Sequence, residues 1–214
     1  MNSSAKKGRS AETVIVDYGT GNLYSVKRAL DRLGADSTIS LSPDHIRKAD
    51  KIILPGVGHF GRAMEALSER NFVDALNEAV IVKERPVLGI CLGMELMANR
   101  SEEGNAAGLG WIDAELIRFD LPKNSGFKVP HMGWNQVRAR KASPLFDAVE
   151  FDAEFYFAHS YHLKLNDLSD LLTETDYGIT FPSAIARKNV FGVQYHPEKS
   201  HDAGARILRN FIDM

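Results

Sequence analysis

Cysteine is nearly absent from this sequence: among 214 residues only Cys91 carries a thiol. One sulfur excludes an intramolecular disulfide framework and a zinc site built from several thiolates, which leaves a buried structural thiol or a reactive one. An excess of charge of one sign is missing too. The 26 lysines and arginines nearly balance 28 aspartates and glutamates, for a formal net charge of -2. No basic block is present to neutralise a run of phosphates, so nucleic acid is not expected as the primary partner. No apolar run approaches the roughly 20 residues that span a bilayer. Met1–Ala11 bears Lys6, Lys7 and Arg9 with no apolar core behind them, unlike a secretory signal. The expectation is a cytoplasmic protein without a membrane partner, residues 1–12 being a flexible tail and 13–214 a single domain. Internal repeats and low-complexity tracts are also lacking.

What the chain does contain is alternation. Thr13 to Val16 is a β-branched run stopped by Gly19 and Gly21, and Leu23, Val26, Leu30 and Leu33 then recur at helical spacing between Asn22 and Gly34. The pattern repeats with a strand near Ala35 to Ser40, a short helix after Pro43, and a strand at Lys51 to Leu54 running into Pro55-Gly56-Val57-Gly58. A helix bearing Phe60, Met64 and Leu67, another over Asn71 to Lys83, a strand at Pro86 to Ile90 and a helix to about Asn99 follow. Apolar strands alternating with helices predict an α/β fold with a doubly wound, mostly parallel sheet, because parallel strands need crossover helices on both faces. After Arg100 the texture becomes β-rich, with strand-like segments at Trp111–Phe119, Val137–Arg140, Glu154–Ala158, Leu171–Thr175 and Ala184–Val193, and a terminal helix carrying Ile207, Leu208, Phe211 and Ile212. Additional antiparallel β segments are expected there.

Ligands of doubly wound sheets bind beyond the carboxyl ends of the strands, and the chemistry-bearing residues fall at that edge. Gly89, Cys91 and Gly93 form G-x-C-x-G, the pattern of a nucleophile elbow, in which flanking glycines permit a sharp strand-to-helix turn. The helix N-terminus behind it is expected to lower the thiol pKa, with the Leu92 N–H facing a developing oxyanion. A lone cysteine after an apolar strand is otherwise as well read as core; the two glycines favour the reactive reading. Splitting an amide with a thiol also needs a proton donor for the departing nitrogen. Pro197 biases His196 to an extended conformation, where residues i and i+2 project to one side, so Glu198 can orient the His196 ring. Alone, HPEKS reads as a polar turn. Gly56 and Gly58 leave backbone N–H groups of the Pro55–Gly58 turn free to face an anion, a second oxyanion donor. Gly19-x-Gly21 lacks the third glycine of a dinucleotide fingerprint and reads as a tight turn. No cofactor and no metal are called for.

With Cys91, His196 and Glu198 in place, the sequence resembles the class I glutamine amidotransferases, in which an elbow cysteine works with a His-x-Glu near the C-terminus. DYGTGN at 17–22, PGVGHFG at 55–61, GICLGM at 89–94, KVPHMGWN at 128–135, FAHSY at 157–161 and GVQYHPEKS at 192–200 carry the likeness from about Thr13 onward, in family order. PHMGWN and HPEKS point to the histidine-biosynthesis branch better than the elbow does. The resemblance implies a flavodoxin-like fold, a Cys91-His196-Glu198 triad hydrolysing L-glutamine, and ammonia passed to a HisF-type (β/α)8 cyclase as heterodimer partner. By the same resemblance Gly56, Val57, Gly58 and Leu92 serve the oxyanion, Ser160 and Tyr161 the amino-acid end of glutamine, and Asn22, Trp134 and Lys199 the partner interface. A helix cap for Asn22, core packing for Trp134 and a solvated charge for Lys199 are the plain alternatives, as is a strand terminus for HSY.

One residue departs from the family pattern: Glu95 stands where the elbow helix usually has Gln. A carboxyl group can carry charge and, once ionised, donates no hydrogen bond, so Glu95 either meets the amino group of glutamine by charge or the usual contact is absent. The rival reading nearest to hand is a paralogue feeding ammonia to a different synthase, such as one amidating a surface sugar. A hydrolytic or redox elbow protein of the DJ-1 or peptidase type predicts no HPE late in the chain beside an early PGVG, and a non-enzymatic domain of this fold is disfavoured by the intact Cys91, His196 and Glu198.

Overall fold

The computed structural model describes residues 11–150 and 152–214. Its first half alternates as β1 (Thr13–Val16), α1 (Leu23–Arg32), β2 (Ser37–Ser40), α2 (Pro43–Lys48), β3 (Lys51–Gly56), α3 (Phe60–Glu69), α4 (Phe72–Asn77), β4 (Val87–Cys91) and α5 (Leu92–Glu95). The second half holds β5 (Arg100–Ser101), β6 (Ala106–Ala107), β7 (Ala114–Arg118), β8 (His131–Gln136), β9 (Arg138–Ala139), β10 (Glu154–His159), β11 (Tyr161–Leu165), β12 (Leu171–Asp176), β13 (Thr180–Arg187), β14 (Val190–Val193) and α6 (His201–Asp213). Of the tail expected over 1–12, residues 1–10 lie outside the described residues. Glu12 donates its N–H to Asp50 and accepts from Lys51 N.

Eight strands form the main sheet in the order β2-β1-β3-β4-β14-β13-β12-β9. From β2 to β14 every pairing is parallel, and β13, β12 and β9 continue it antiparallel. Successive side chains of a strand point to opposite faces, and two cores result. Val14, Val16, Ile52 and Leu54 pack with α2, α3 and α4 on one face, while Ile15, Ile53, Leu88 and Ile90 pack with Leu23, Val26 and Leu30 of α1 and Ile207, Leu208 and Phe211 of α6 on the other. Strands buried on both faces read as unbroken apolar runs, which is why 13–16, 51–54 and 86–90 are so plain in the sequence. A four-stranded sheet, β11-β7-β5-β6, and a two-stranded one, β10-β8, are added at the carboxyl edge.

Several segments differ from the expectation, each for a local reason. The helix over Asn71–Lys83 is α4 followed by a π turn at Glu78–Val82, closed by Lys83 N on Glu78 O. Asn189 Nδ2 holds the carbonyls of Val80 and Arg85 at 2.8 and 2.9 Å there, and side-chain insertion into a helical ladder is a common cause of such distortion. The helix expected to run from the elbow to Asn99 is the single turn α5, because the carbonyls of Leu96, Met97 and Ala98 accept from Leu109, Trp111 and Gly110 instead of continuing it. Ala184–Val193 is not one strand but the end of β13, a turn with Lys188 at φ 53°, and β14. That reversal creates the antiparallel half of the sheet. The strand at Trp111–Phe119 is shorter, Ala114–Arg118, and only Arg138–Ala139 of Val137–Arg140 pairs.

Candidate active site

The register of the central strands gathers the site. Gly56 at the end of β3 lies opposite Cys91 at the end of β4, and Val193 of β14 lies opposite Ile90. Three chain segments far apart in sequence, 56–58, 91–95 and 194–198, therefore leave the sheet side by side.

At the elbow, the strained residue is the cysteine itself. Cys91 has φ 53° and ψ -113°, a region that L residues seldom occupy and that is concentrated at functional sites. The two glycines serve close approach rather than left-handed backbone. A Cβ on Gly93 would sit 1.6 Å from Leu54 O of β3, and one on Gly89 would sit 2.6 Å from Met94 N. Gly56 is confined likewise, with the Tyr18 hydroxyl 2.2 Å from where its Cβ would be. Cys91 is 5% exposed; its sulfur lies 3.9 Å from Ala158 O and 4.0 Å from Gln194 Nε2. The helix N-terminus does not lower its pKa as expected. Burial, and after it the Glu95 charge, pushes the thiol well above its ordinary value, outweighing the Leu92 N–H and the Lys199 charge that favour the thiolate. A one-turn helix carries little macrodipole to set against desolvation.

His196 is extended, φ -100° and ψ 93°, and Pro197 begins a 3-10 turn over Pro197–Lys199. The His196 side chain is buried, as is that of Glu198, and Nδ1 lies 2.9 Å from Glu198 Oε1. With Glu198 ionised, Nδ1 carries the hydrogen and Nε2 is left with a free lone pair, the form a general base needs. The backbone around the ring is tied on both sides: His196 N donates to Tyr156 O, and His196 O accepts from Ser200 Oγ at 2.6 Å. The charges of Glu198 and Lys199 reach the thiol. Among the described residues, however, His196 is not a hydrogen-bond partner of the sulfur, which instead rests against Ala158 O.

A cleft of about 190 Å³ opens over Cys91, smaller than drug-sized sites and suited to a molecule of amino-acid size. Of the residues singled out from sequence, Val57, Gly58, Leu92, Glu95, Ser160 and Tyr161 line it together with Cys91. Gly56, His196 and Glu198 are not among its lining residues. Five lining residues carry no site role in the sequence reading: Pro130, Met132, Ala158 and His159, which lie inside the quoted motifs, and Glu103, which lies in none. Glu103 Oε2 accepts the Phe60 N–H at 2.7 Å, an attachment across 43 positions that no local pattern announces. Gln194, two residues before His196, is fully buried and donates from Nε2 to Glu95 Oε1 at 2.8 Å. Glu95 has its pKa raised to about 8, by burial above all and then by the Glu103 charge, against the lowering effect of Gln194.

The wall at 158–161 is braced by histidines. His159 Nδ1 lies 2.7 Å from Tyr161 O, which can only accept, so Nδ1 is the donor and Nε2 the acceptor. His131 Nδ1, 3.0 Å from that Nε2, must then donate. Burial lowers both pKa values, to about 3 for His159 and about 4 for His131, keeping the pair neutral with one defined set of tautomers.

Large apolar side chains are exposed on the cleft rim and on strand β8 beside it. Val57, Met132 and Trp134 are 43%, 62% and 45% exposed, and Trp134 stacks on His201 with ring centroids 4.8 Å apart. Trp134 is thus not core packing. Asn22 is exposed and its side chain makes no capping hydrogen bond to α1. Lys199 lies 5.5 Å over the Tyr156 ring.

Solved structures share this architecture. The glutaminase domain of Trypanosoma brucei CTPS with bound acivicin superposes with a TM-score of 0.67 at 18% identity, covering 94% of this chain and 92% of its own. PurLQS from Thermotoga maritima gives 0.71 at 16% identity, covering 95% and 98%. The chain belongs to the class-I glutamine amidotransferase family, whose sequence model matches residues 14–214. Within that family its near relatives are the HisH subunits of imidazole glycerol phosphate synthase. HisH 2 of Pseudomonas aeruginosa is 45% identical over 94% of this chain and 98% of its own length, and HisH of Sulfurimonas denitrificans is 47% identical over 92% and 95%.

Proposed function

We propose that this chain is the glutaminase subunit of an imidazole glycerol phosphate synthase, hydrolysing L-glutamine to glutamate and ammonia and passing the ammonia to a HisF-type (β/α)8 cyclase. The observation that carries the reading is the sheet register, which delivers the Cys91 thiol and the His196–Glu198 pair to one edge beside an amino-acid-sized cleft. Sequence kinship with HisH subunits over nearly the whole chain supports the choice of synthase.

In this mechanism His196 Nε2 takes the thiol proton as Cys91 Sγ attacks the carboxamide carbon. N–H groups of Leu92 and Val57 hold the oxyanion, and removal of one such donor typically costs about 3 kcal/mol of barrier. His196 returns its proton to the departing nitrogen, and ammonia leaves. Water then attacks the thioester with His196 as base, releasing glutamate and restoring the thiol. Glu198 holds the ring in the tautomer the cycle requires. In the chain alone the thiol is neutral and rests against Ala158 O, not against His196. The exposed Val57 stands on the turn that must supply the second oxyanion donor, beside the apolar surface where the cyclase would dock through Asn22, Trp134 and Lys199. Partner binding is therefore the expected trigger.

The test is glutamate release measured with and without the cyclase and its nucleotide ligand. Stimulation by the cyclase, with imidazole glycerol phosphate formed, is expected, and Cys91→Ala should abolish glutamine-dependent synthesis while synthesis from added ammonia continues. Glutamate release that no histidine-pathway cyclase stimulates would reassign the chain to another synthase.

A further inference from the structure

Two carboxyl groups, Glu95 and Glu103, line the cleft, and they are close enough for the charge of one to disfavour ionisation of the other. They are held differently. Glu103 is pinned by the Phe60 N–H at the start of α3 and by its own N–H on Ser101 Oγ at 2.9 Å. Glu95 is 5% exposed and receives one hydrogen bond, from Gln194 Nε2, leaving its second oxygen to the cleft. Gln194 has no freedom to do more, since it is fully buried with its Nε2 between Glu95 and the sulfur and its Oε1 without a partner. Charge couples Glu95 to Cys91 of β4, Glu103 after β5, Tyr18 after β1 and Tyr161 of β11, all acids, and His159 on the same cleft is held neutral by burial. A buried carboxylate with no opposing cation is unfavourable by several kcal/mol and takes up a proton instead.

A ligand that brings its own cation reverses that balance. We propose that Glu95 is a carboxylic acid in the empty cleft and loses its proton to solvent when the α-ammonium group of glutamine docks between it and Glu103, so that substrate binding releases a proton. The inference rests on the glutaminase reading and deepens it: Glu95 becomes the residue that makes affinity for glutamine depend on pH. The direction follows from linkage. Below the carboxyl pKa of about 8, binding must first remove the proton, so affinity rises by about tenfold per pH unit between pH 6 and 7 and levels off above pH 8.

Calorimetry on the Cys91→Ala chain, alone and assembled with its cyclase, tests this with L-glutamine as the probe. At pH 7, heats in phosphate and in Tris should differ by nearly the full difference between the two buffers' ionisation enthalpies, as expected for close to one proton released per glutamine bound. The Cys91→Ala/Glu95→Gln chain should bind with matching heats in the two buffers and with an affinity that is flat from pH 6 to 8. Matching heats in the Cys91→Ala chain, or undiminished release in the double variant, would overturn the inference while leaving the glutaminase reading standing. The pH dependence of affinity in Cys91→Ala needs no second variant, and a flat profile overturns it equally. Absence of glutamine binding in both forms would count against the glutaminase reading itself.

Discussion

Gly93→Ala probes the joint between fold and chemistry. The added methyl would lie 1.6 Å from Leu54 O and 2.7 Å from Leu54 C, both backbone atoms in the middle of β3. Restoring ordinary contact requires α5 and β3 to part by about 1.5 Å, and a close-packed interior does not yield that much at one point. Leu54 is paired in register with Gly89 of β4, so the strain has few outlets. Overpacking of this kind destabilises by about 1–3 kcal/mol, a fall in Tm of roughly 2–12 °C for a chain this long. Activity should suffer more. Leu54 is followed directly by Pro55-Gly56-Val57, and Leu92 precedes Gly93, so the same displacement separates both proposed oxyanion donors from the thiol. A misplacement near 1 Å in a catalytic constellation costs on the order of 100-fold. The expected result is a folded protein with a modestly lowered Tm and a cyclase-stimulated glutaminase kcat reduced about 100-fold, while the partner's ammonia-dependent synthesis is untouched. Gly61→Ala is the control, since its methyl would approach nothing nearer than His59 Cε1 at 3.4 Å and it lies in helix α3. A Gly93→Ala enzyme with the kcat and Tm of the Gly61→Ala control would refute the reasoning.

Other expectations rest on separate observations. The folded chain holds a proton on Glu95 up to about pH 8 that the unfolded chain gives up near pH 4.5. Folding stability should therefore fall as pH rises across that window and level off above it, and Glu95→Gln should remove up to about 5 kcal/mol of this loss. Urea denaturation at pH 5 and pH 8.5 checks it; parallel curves for the two proteins at both pH values would count against it. Cys91 in the isolated chain should react with iodoacetamide more slowly than free cysteine at pH 8, and faster once the cyclase is bound. Trp134→Ala should weaken cyclase binding by about 2 kcal/mol or more, as loss of a central aromatic anchor does, with Tm and far-UV circular dichroism unchanged.

The parallel half of the fold is legible because strands buried on both faces must be apolar throughout, and 13–16, 51–54 and 86–90 are. The loops Asp17–Asn22, Pro55–Phe60 and Ile90–Gly93 could be placed at one edge for the same reason. What escaped the pattern was decided by partners distant in sequence. His131–Gln136 is a strand whose exposed Met132 and Trp134 face outward from a buried His131, the reverse of an apolar stripe marking a core. Whether the elbow helix ran one turn or two depended on which N–H groups reached Leu96, Met97 and Ala98 first, and those come from residues 109–111. The split of 184–193 into two strands turned on Lys188 adopting φ 53°, a conformation its residue type does not advertise. In the site, the elbow and the His-x-Glu couple were visible as short motifs. Glu103, Gln194 and the raised pKa of Cys91 were not, because burial and through-space charge set them.

The central claim is that Cys91 carries the acyl group of glutamine. Acid quenching of the synthase during turnover of radiolabelled L-glutamine, followed by peptide mapping, tests it most directly. Label retained on the peptide containing Cys91, removed by hydroxylamine and absent from Cys91→Ala, is the predicted result. Glutamate released by the Cys91→Ala enzyme at the unmodified rate, with no label on that peptide in either protein, would contradict it.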